Sequence, residues 1–84
     1  MFDVLYFASL REQLSTEKEQ IEQVQDVSTV ASLKALLIAR GGVWKEAFEG
    51  SIPLLVSINQ QMATDDAAIQ DGDEIAFFPP VTGG

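Results

Sequence analysis

The sequence predicts an α+β domain, a mixed sheet with one face covered by one long helix. Three observations predict it. Phe2 to Phe7 and Glu74 to Phe78, near opposite ends of the chain, are rich in aromatic and β-branched residues and alternate like strands. Between them Val30, Leu33, Leu36 and Leu37 recur at helical spacing. The connection between the two end strands is long enough to let them pair in parallel. With 84 residues, the chain can enclose one core but not two.

The elements follow in order. In the first strand, alternation puts Phe2, Val4 and Tyr6 on one face and Asp3, Leu5 and Phe7 on the other. Ser9 followed by Glu12 has the capping-box spacing, which predicts a short helix to about Leu14, with Ser15 and Thr16 in a loop. Glu19 to Gln25 is polar, and Ile21 and Val24 are spaced by three; an edge strand with a bulge fits this pattern. The main helix starts at Ser28 or Thr29, with Lys34 turned away from the core and Arg40 placed to meet the negative end of the helix dipole. Gly41 and Gly42 are expected to stop it, and Val43 to Phe48 to add one further helical turn. Pro53 breaks that region. Leu54 to Asn59 reads as an interior strand with Leu54, Val56 and Ile58 inward. Asn59 starts a turn, Thr64 to Asp66 is a solvated loop, and Asp71-Gly72-Asp73 is a second turn. In the last strand Ile75 and Phe77 share one face, Ala76 and Phe78 the other. About four strands result.

Composition excludes several functions. Hydrophobic residues make up 46% and charged residues 21%, the balance of a folded domain. The net charge of −8 disfavours nucleic acid and anionic membrane surfaces, and suits a partner with a basic surface. Without cysteine or histidine the chain has no thiol nucleophile, no imidazole base and no Cys/His zinc site. Asp71, Asp73 and Glu74 are better explained as a turn before a strand than as a metal site. The acidic start lacks the pattern of a secretory signal and no apolar run reaches membrane-spanning length, so a cytoplasmic location is expected.

The C-terminal end is the most informative segment. Phe77-Phe78 is followed by Pro79-Pro80-Val81-Thr82-Gly83-Gly84. The prolines lack N–H groups, so they end strand pairing and keep the chain extended. Val81 to Gly84 then reach roughly 13 Å further. A diglycine without Cβ atoms can thread a narrow channel and leaves its terminal carbonyl open to attack. The carboxylate becomes an acyl donor once joined to AMP, and sulfur can then displace AMP to leave a thiocarboxylate. On the sheet, Leu5, Phe7 and Phe78 face away from the long helix, with Met62 near them. They predict an exposed apolar patch ringed by acidic residues, a partner site.

Leu54 to Asn59 and Asp71 to Gly84, with Val4-Leu5-Tyr6-Phe7-Ala8 and Arg11-Glu12, resemble the small-subunit family of molybdopterin synthase, the sulfur carriers also called molybdopterin-converting factor subunit 1. The resemblance is strongest over Asp71 to Gly84 and loosest over 15–50. It implies a ubiquitin-like β-grasp domain over 1–78 with a flexible tail over 79–84. It implies that an enzyme like ubiquitin E1 adenylates the Gly84 carboxylate with ATP and Mg²⁺. A sulfur-donor system would then form the thiocarboxylate, and the large synthase subunit would pass its sulfur to cyclic pyranopterin monophosphate to build the molybdopterin dithiolene. The implied assembly is a heterotetramer. Carried over by position, Gly84 is the sulfur carrier, Gly83 the slim residue beside it, Pro79, Pro80, Val81 and Thr82 the arm, and Phe7, Met62 and Phe78 the docking face. Met62 departs from the branched aliphatic usual there. No catalytic group and no cofactor are implied on this chain itself.

Other readings compete. A thiamine-pathway sulfur carrier would use the same carboxyl chemistry, but that family usually lacks the Pro-Pro strut. A ubiquitin-type modifier would form isopeptides on lysines. A passive interaction module would keep its activity without Gly84.

Overall fold

The computed structural model describes residues 1–23, 26–50 and 53–80. The elements are β1 (Phe2–Tyr6), α1 (Ala8–Leu14), β2 (Lys18–Ile21), α2 (Val30–Ile38), α3 (Gly42–Glu49), β3 (Leu55–Ile58), β4 (Gln61–Ala63) and β5 (Glu74–Phe78). The strands form one mixed sheet in the order β2-β1-β5-β3-β4. β5 lies at its centre, parallel to β1 and antiparallel to β3. The expected parallel pairing of the first and last strands is present. With helices on one face, this is the β-grasp arrangement.

Alternation determines which side of the sheet is buried. Phe2, Val4, Tyr6, Ile75 and Phe77 are completely buried, and Val56 joins them from β3. They pack in one cluster with Leu10 and Leu14 of α1, Val30, Leu33 and Leu37 of α2, and Ala47 of α3. Each fully buried side chain of this size stabilises the fold by about 1.5–3 kcal/mol. The Phe77 ring stacks on Tyr6 and meets the Phe48 ring in a T-shaped contact with centroids 5.2 Å apart. A strand slipped by one residue would turn this whole set to solvent, so the register is strongly specified.

The helical layer differs from the expectation of one long helix. α2 has nine residues and α3 eight, and both contribute to the core. α2 ends at Ile38 with Ala39 as its C-cap, short of the two glycines expected to stop it, and Gly41 and Gly42, with φ of 73° and 54°, re-aim the chain into α3. Those angles are strained for any side chain with a Cβ. Val43 to Phe48 therefore lies in a helix of about two turns rather than one. The start of α2 agrees with expectation and is reinforced. Thr29 Oγ1 accepts from the Ser32 N–H at 3.2 Å, and Ser32 Oγ accepts from the Thr29 N–H at 2.9 Å. This reciprocal pair satisfies two donors at the helix end.

Three further corrections, at Ser9–Glu12, Leu36 and Arg40, have local causes. The Ser9–Glu12 capping box does not form, because α1 begins right after its N-cap Phe7 and Ser9 already lies inside the first turn. Leu36 is 37% exposed, because the buried stripe runs Val30, Leu33, Leu37 and leaves Leu36 at its margin. Lys34 lies outside the buried stripe, as expected, and its ammonium binds Asp65 at 2.8 Å with its side chain mostly covered. Arg40 lies past the end of α2 and serves Glu19 of β2 instead of the helix dipole.

The strand count also changes. Edge strand β2 spans Lys18–Ile21, not Glu19 to Gln25, and pairs with β1 without a bulge. Val24 and Gln25 lie outside the described residues. The segment after Asn59, expected as turns, contains a fifth strand, β4. Asn59 and Gln60 form its tight turn, both with positive φ. Among the described residues no helix is long and apolar enough to cross a membrane.

Candidate functional site

The outer face of the sheet is built by the residues that alternation leaves over. Pairing places Lys18, Leu5, Ala76, Ser57 and Met62 in one row across all strands. Neighbouring strands are about 4.8 Å apart, so this row is continuous. The next row toward the end of β5 pairs Phe78 with Leu55. Phe7 follows Leu5 in extended backbone, and its N–H donates to the Phe77 carbonyl at 3.2 Å. Phe7, Leu55, Met62 and Phe78 thus converge on the end of the sheet where β5 finishes.

Among the described residues, nothing covers several of these side chains. Met62 is 64% exposed, Phe7 45% and Leu55 37%. Leu5 and Phe78 are half-buried, and Ala76 is covered by its neighbours. Adjoining exposed apolar side chains of this size make this face a candidate for contact with another molecule. The predicted placement of Phe7, Met62 and Phe78 on one face agrees with the pairing. Leu55 was not singled out from sequence, although the inward set Leu54, Val56, Ile58 already left it facing out.

The root of the tail continues from this face. Strand pairing ends at Phe78, and Pro79 and Pro80 follow without secondary structure, both half-buried. β5 is hydrogen-bonded on both sides, so the point where the tail departs is held by the most constrained strand of the sheet. Val81, Thr82, Gly83 and Gly84 lie outside the described residues. Beside Pro79, on the helical side, a groove of about 210 Å³ opens between α1, α3 and Leu54. Sequence reasoning did not find it, because its walls come from segments far apart in the chain.

The polar clusters elsewhere serve the fold. The Tyr6 hydroxyl donates to Glu19 at 2.8 Å, and Arg40 donates to both oxygens of the same carboxylate at 2.8 and 3.0 Å. Arg40 also lies 4.4 Å over the Trp44 ring, a cation–π contact. Burial, then the hydrogen bond to Glu19, pushes the Tyr6 phenol well above its ordinary range. Burial alone would raise Glu19, but the hydrogen bonds from Arg40 and Tyr6 outweigh it and hold the carboxyl below its ordinary 4.5. The hydrogen bond to Glu19 raises Arg40 further. This network ties β1, β2 and the α2–α3 corner together.

The acidic turn is committed to structure in the same way. The Asp73 carboxylate accepts from the Asn59 amide at 3.0 Å and the Gln70 N–H at 2.8 Å, and Asp71 pairs with the amino terminus. Among the described residues no group of three or more potential ligand side chains is positioned to hold a metal ion.

Comparison with known proteins supplies the context for this face. The family model described as the ThiS family matches residues 4–84. The molybdopterin synthase sulfur carrier subunit of Haemophilus influenzae is 43% identical over 84 residues, covering all of both chains. The Escherichia coli protein of the same name is 40% identical, again over the full length of both. Among solved structures, the small archaeal modifier protein 1 of H. volcanii superposes with a TM-score of 0.77 at 25% identity, covering 95% of this chain and 97% of that one.

Proposed function

The chain belongs to the ThiS family, and from that premise we propose that it is the sulfur carrier subunit of a molybdopterin synthase, acting through its C-terminal glycine. The observation that carries this reading is structural. The outer apolar face and the root of the tail are parts of one strand: β5 presents Phe78 on that face and runs directly into Pro79 and Pro80. A partner that covers Phe7, Leu55, Met62 and Phe78 thereby receives the tail at a fixed position.

The chemistry follows from the terminal carboxylate. An E1-like enzyme uses ATP with Mg²⁺; a Gly84 oxygen attacks the α-phosphorus and pyrophosphate leaves. The acyl adenylate has a good leaving group, and sulfur from the donor system displaces AMP to give the thiocarboxylate. The large subunit then takes the tail and passes its sulfur to cyclic pyranopterin monophosphate, two such deliveries completing one dithiolene. A heterotetramer with a carrier at each end of a large-subunit dimer fits that requirement. In this scheme residues 1–78 form the docking domain and 79–84 the arm, with Gly83 and Gly84 slim enough to enter both partners. The chain supplies no acid or base and binds no cofactor; those groups belong to the partners, in the cytoplasm.

The test is the mass of the C-terminal fragment after incubation with ATP, the activating enzyme and a sulfur donor. Replacement of one terminal oxygen by sulfur is the expected result. The fragment must exclude Met1 and Met62, because methionine oxidation adds nearly the same mass. No sulfur, with the activating enzyme shown competent on another carrier, overturns the reading, and an isopeptide on a target lysine replaces it with a modifier.

A further inference from the structure

The groove at the root of the tail is separate from the apolar face and has a different chemistry. Its apolar walls are Leu10, Leu54 and Pro79, and its polar rim is Ser9, Gln13 and Glu46. Gly50 also lines it, packed so tightly against α3 that a Cβ there would meet the Glu46 carbonyl oxygen at 2.7 Å. Among the described residues Glu46 enters no ion pair. The side chains of Ser9, Gln13 and Glu46 make no hydrogen bond within the described residues either. Three exposed side chains with acceptor oxygens, one of them charged, therefore line this groove together with Leu10, Leu54 and Pro79.

We infer that this groove takes an arginine side chain from the protein that receives the tail, with Glu46 accepting its guanidinium. Size, chemistry and charge point the same way. A cavity of about 210 Å³ admits one long side chain, not a helix or a strand. An arginine lays its methylene stem on apolar walls and keeps its charged end at the rim. Its planar fork binds a carboxylate through two parallel hydrogen bonds and has donors left for the Gln13 and Ser9 oxygens. The net charge of −8 favours approach of a cationic group over any other. Pro79 belongs both to the groove wall and to the strut, so an arginine seated there grips the tail at its base. The apolar face supplies contact area, and the groove sets the direction in which the tail leaves. The inference rests on the carrier reading for the identity of the partner, but not for the chemistry of the groove.

The experiment has two arms. In the first, the isotope-labelled full chain is titrated with N-acetyl-arginine amide and, separately, with N-acetyl-norleucine amide. Saturable amide shifts at Ser9, Gln13 and Gly50 with the arginine probe alone, lost in Glu46→Gln, are expected. No shifts, or equal shifts with both probes, overturn the inference even if the carrier reading stands. Shifts of the same amides on removing 81–84 would make the chain's own tail the occupant, which also overturns it. In the second arm, Glu46→Arg is measured against the large synthase subunit. Affinity should fall about tenfold or more, with unchanged melting temperature, and an arginine-to-glutamate change on the partner should restore it. Wild-type affinity of Glu46→Arg, while Phe78→Ala binds weakly, overturns the arginine seat but leaves the carrier reading intact. If the large subunit does not bind the chain at all, the carrier reading fails and the probe titration alone decides the groove.

Discussion

Phe78 stands directly opposite Leu55 across the antiparallel β3–β5 pair, on the face turned away from the helices. Its neighbour Phe77 stands opposite Val56 and is completely buried. Two adjacent phenylalanines therefore have opposite duties, and substitution separates them. Phe77→Ala should lower stability by about 3–5 kcal/mol through the cavity it leaves between Tyr6 and Phe48. Phe78→Ala should leave the melting temperature nearly unchanged and weaken binding to the large subunit by more than ~1 kcal/mol. Thermal melts and a binding titration on both variants check this, and equal losses of stability would contradict the assignment of faces.

Met62 and Leu55 extend the same surface onto β3 and β4. Placing a charge at either, as Met62→Asp or Leu55→Asp, should abolish docking, because an unpaired carboxylate would be buried on binding. Neither should cost more than about 1 kcal/mol of folding stability at positions this exposed. Raising salt should weaken association of the wild-type chain only modestly, since apolar burial is not screened. A binding isotherm at two ionic strengths measures the balance, and a steep salt dependence would assign the larger share to charge.

Deleting Gly84 should leave the circular dichroism spectrum and melting temperature unchanged while abolishing sulfur transfer. Gly84 comes six residues after Phe78, where the last strand ends. A single-turnover assay with the thiocarboxylated protein and the large subunit provides the readout. Retained transfer would remove the carrier role from this terminus.

The Tyr6–Glu19–Arg40 network predicts a pH dependence. Glu19 is held below its ordinary pKa of 4.5 in the folded chain. A depressed carboxyl contributes stability that is fully present above the unfolded value and is lost as pH falls through the folded one. Glu19→Gln should therefore melt lower than wild type at pH 6, and the gap should shrink below pH 4.5. Tyr6 runs the other way: its raised pKa gives stability present below 10.0 and lost as pH rises beyond it. Tyr6→Phe should cost about 0.5–1.5 kcal/mol near neutrality. Melting curves from pH 3 to 11 on both variants check the two signs.

Much of the outer apolar face was already legible in the sequence, for a local reason. A period of two in Phe2 to Phe7 and Glu74 to Phe78 sorts buried from outward side chains without knowledge of any neighbour, so Phe7 and Phe78 could be placed together. Pro79-Pro80 likewise ends strand pairing by its own covalent chemistry. A different local rule overreached at Ser9 and Glu12, whose spacing suits a cap but whose position is two residues past the N-cap Phe7.

What only the tertiary structure decided is everything that depends on pairing between distant segments. A strand as short as Gln61–Ala63 has too few residues to show a period, and only its ladder with β3 makes it one and carries Met62 onto the row of Leu5 and Ala76. Gly41 and Gly42 read as a stop before one further helical turn, yet positive φ at both lets the chain turn into the longer α3, whose Trp44 and Phe48 pack on Tyr6 and Phe77 of distant strands. The groove beside Pro79 needs α1, α3 and Leu54 to meet, and the Arg40–Glu19 pair needs α2 to end over the edge strand. Local sequence set the direction each side chain faces; non-local packing set which residues became neighbours.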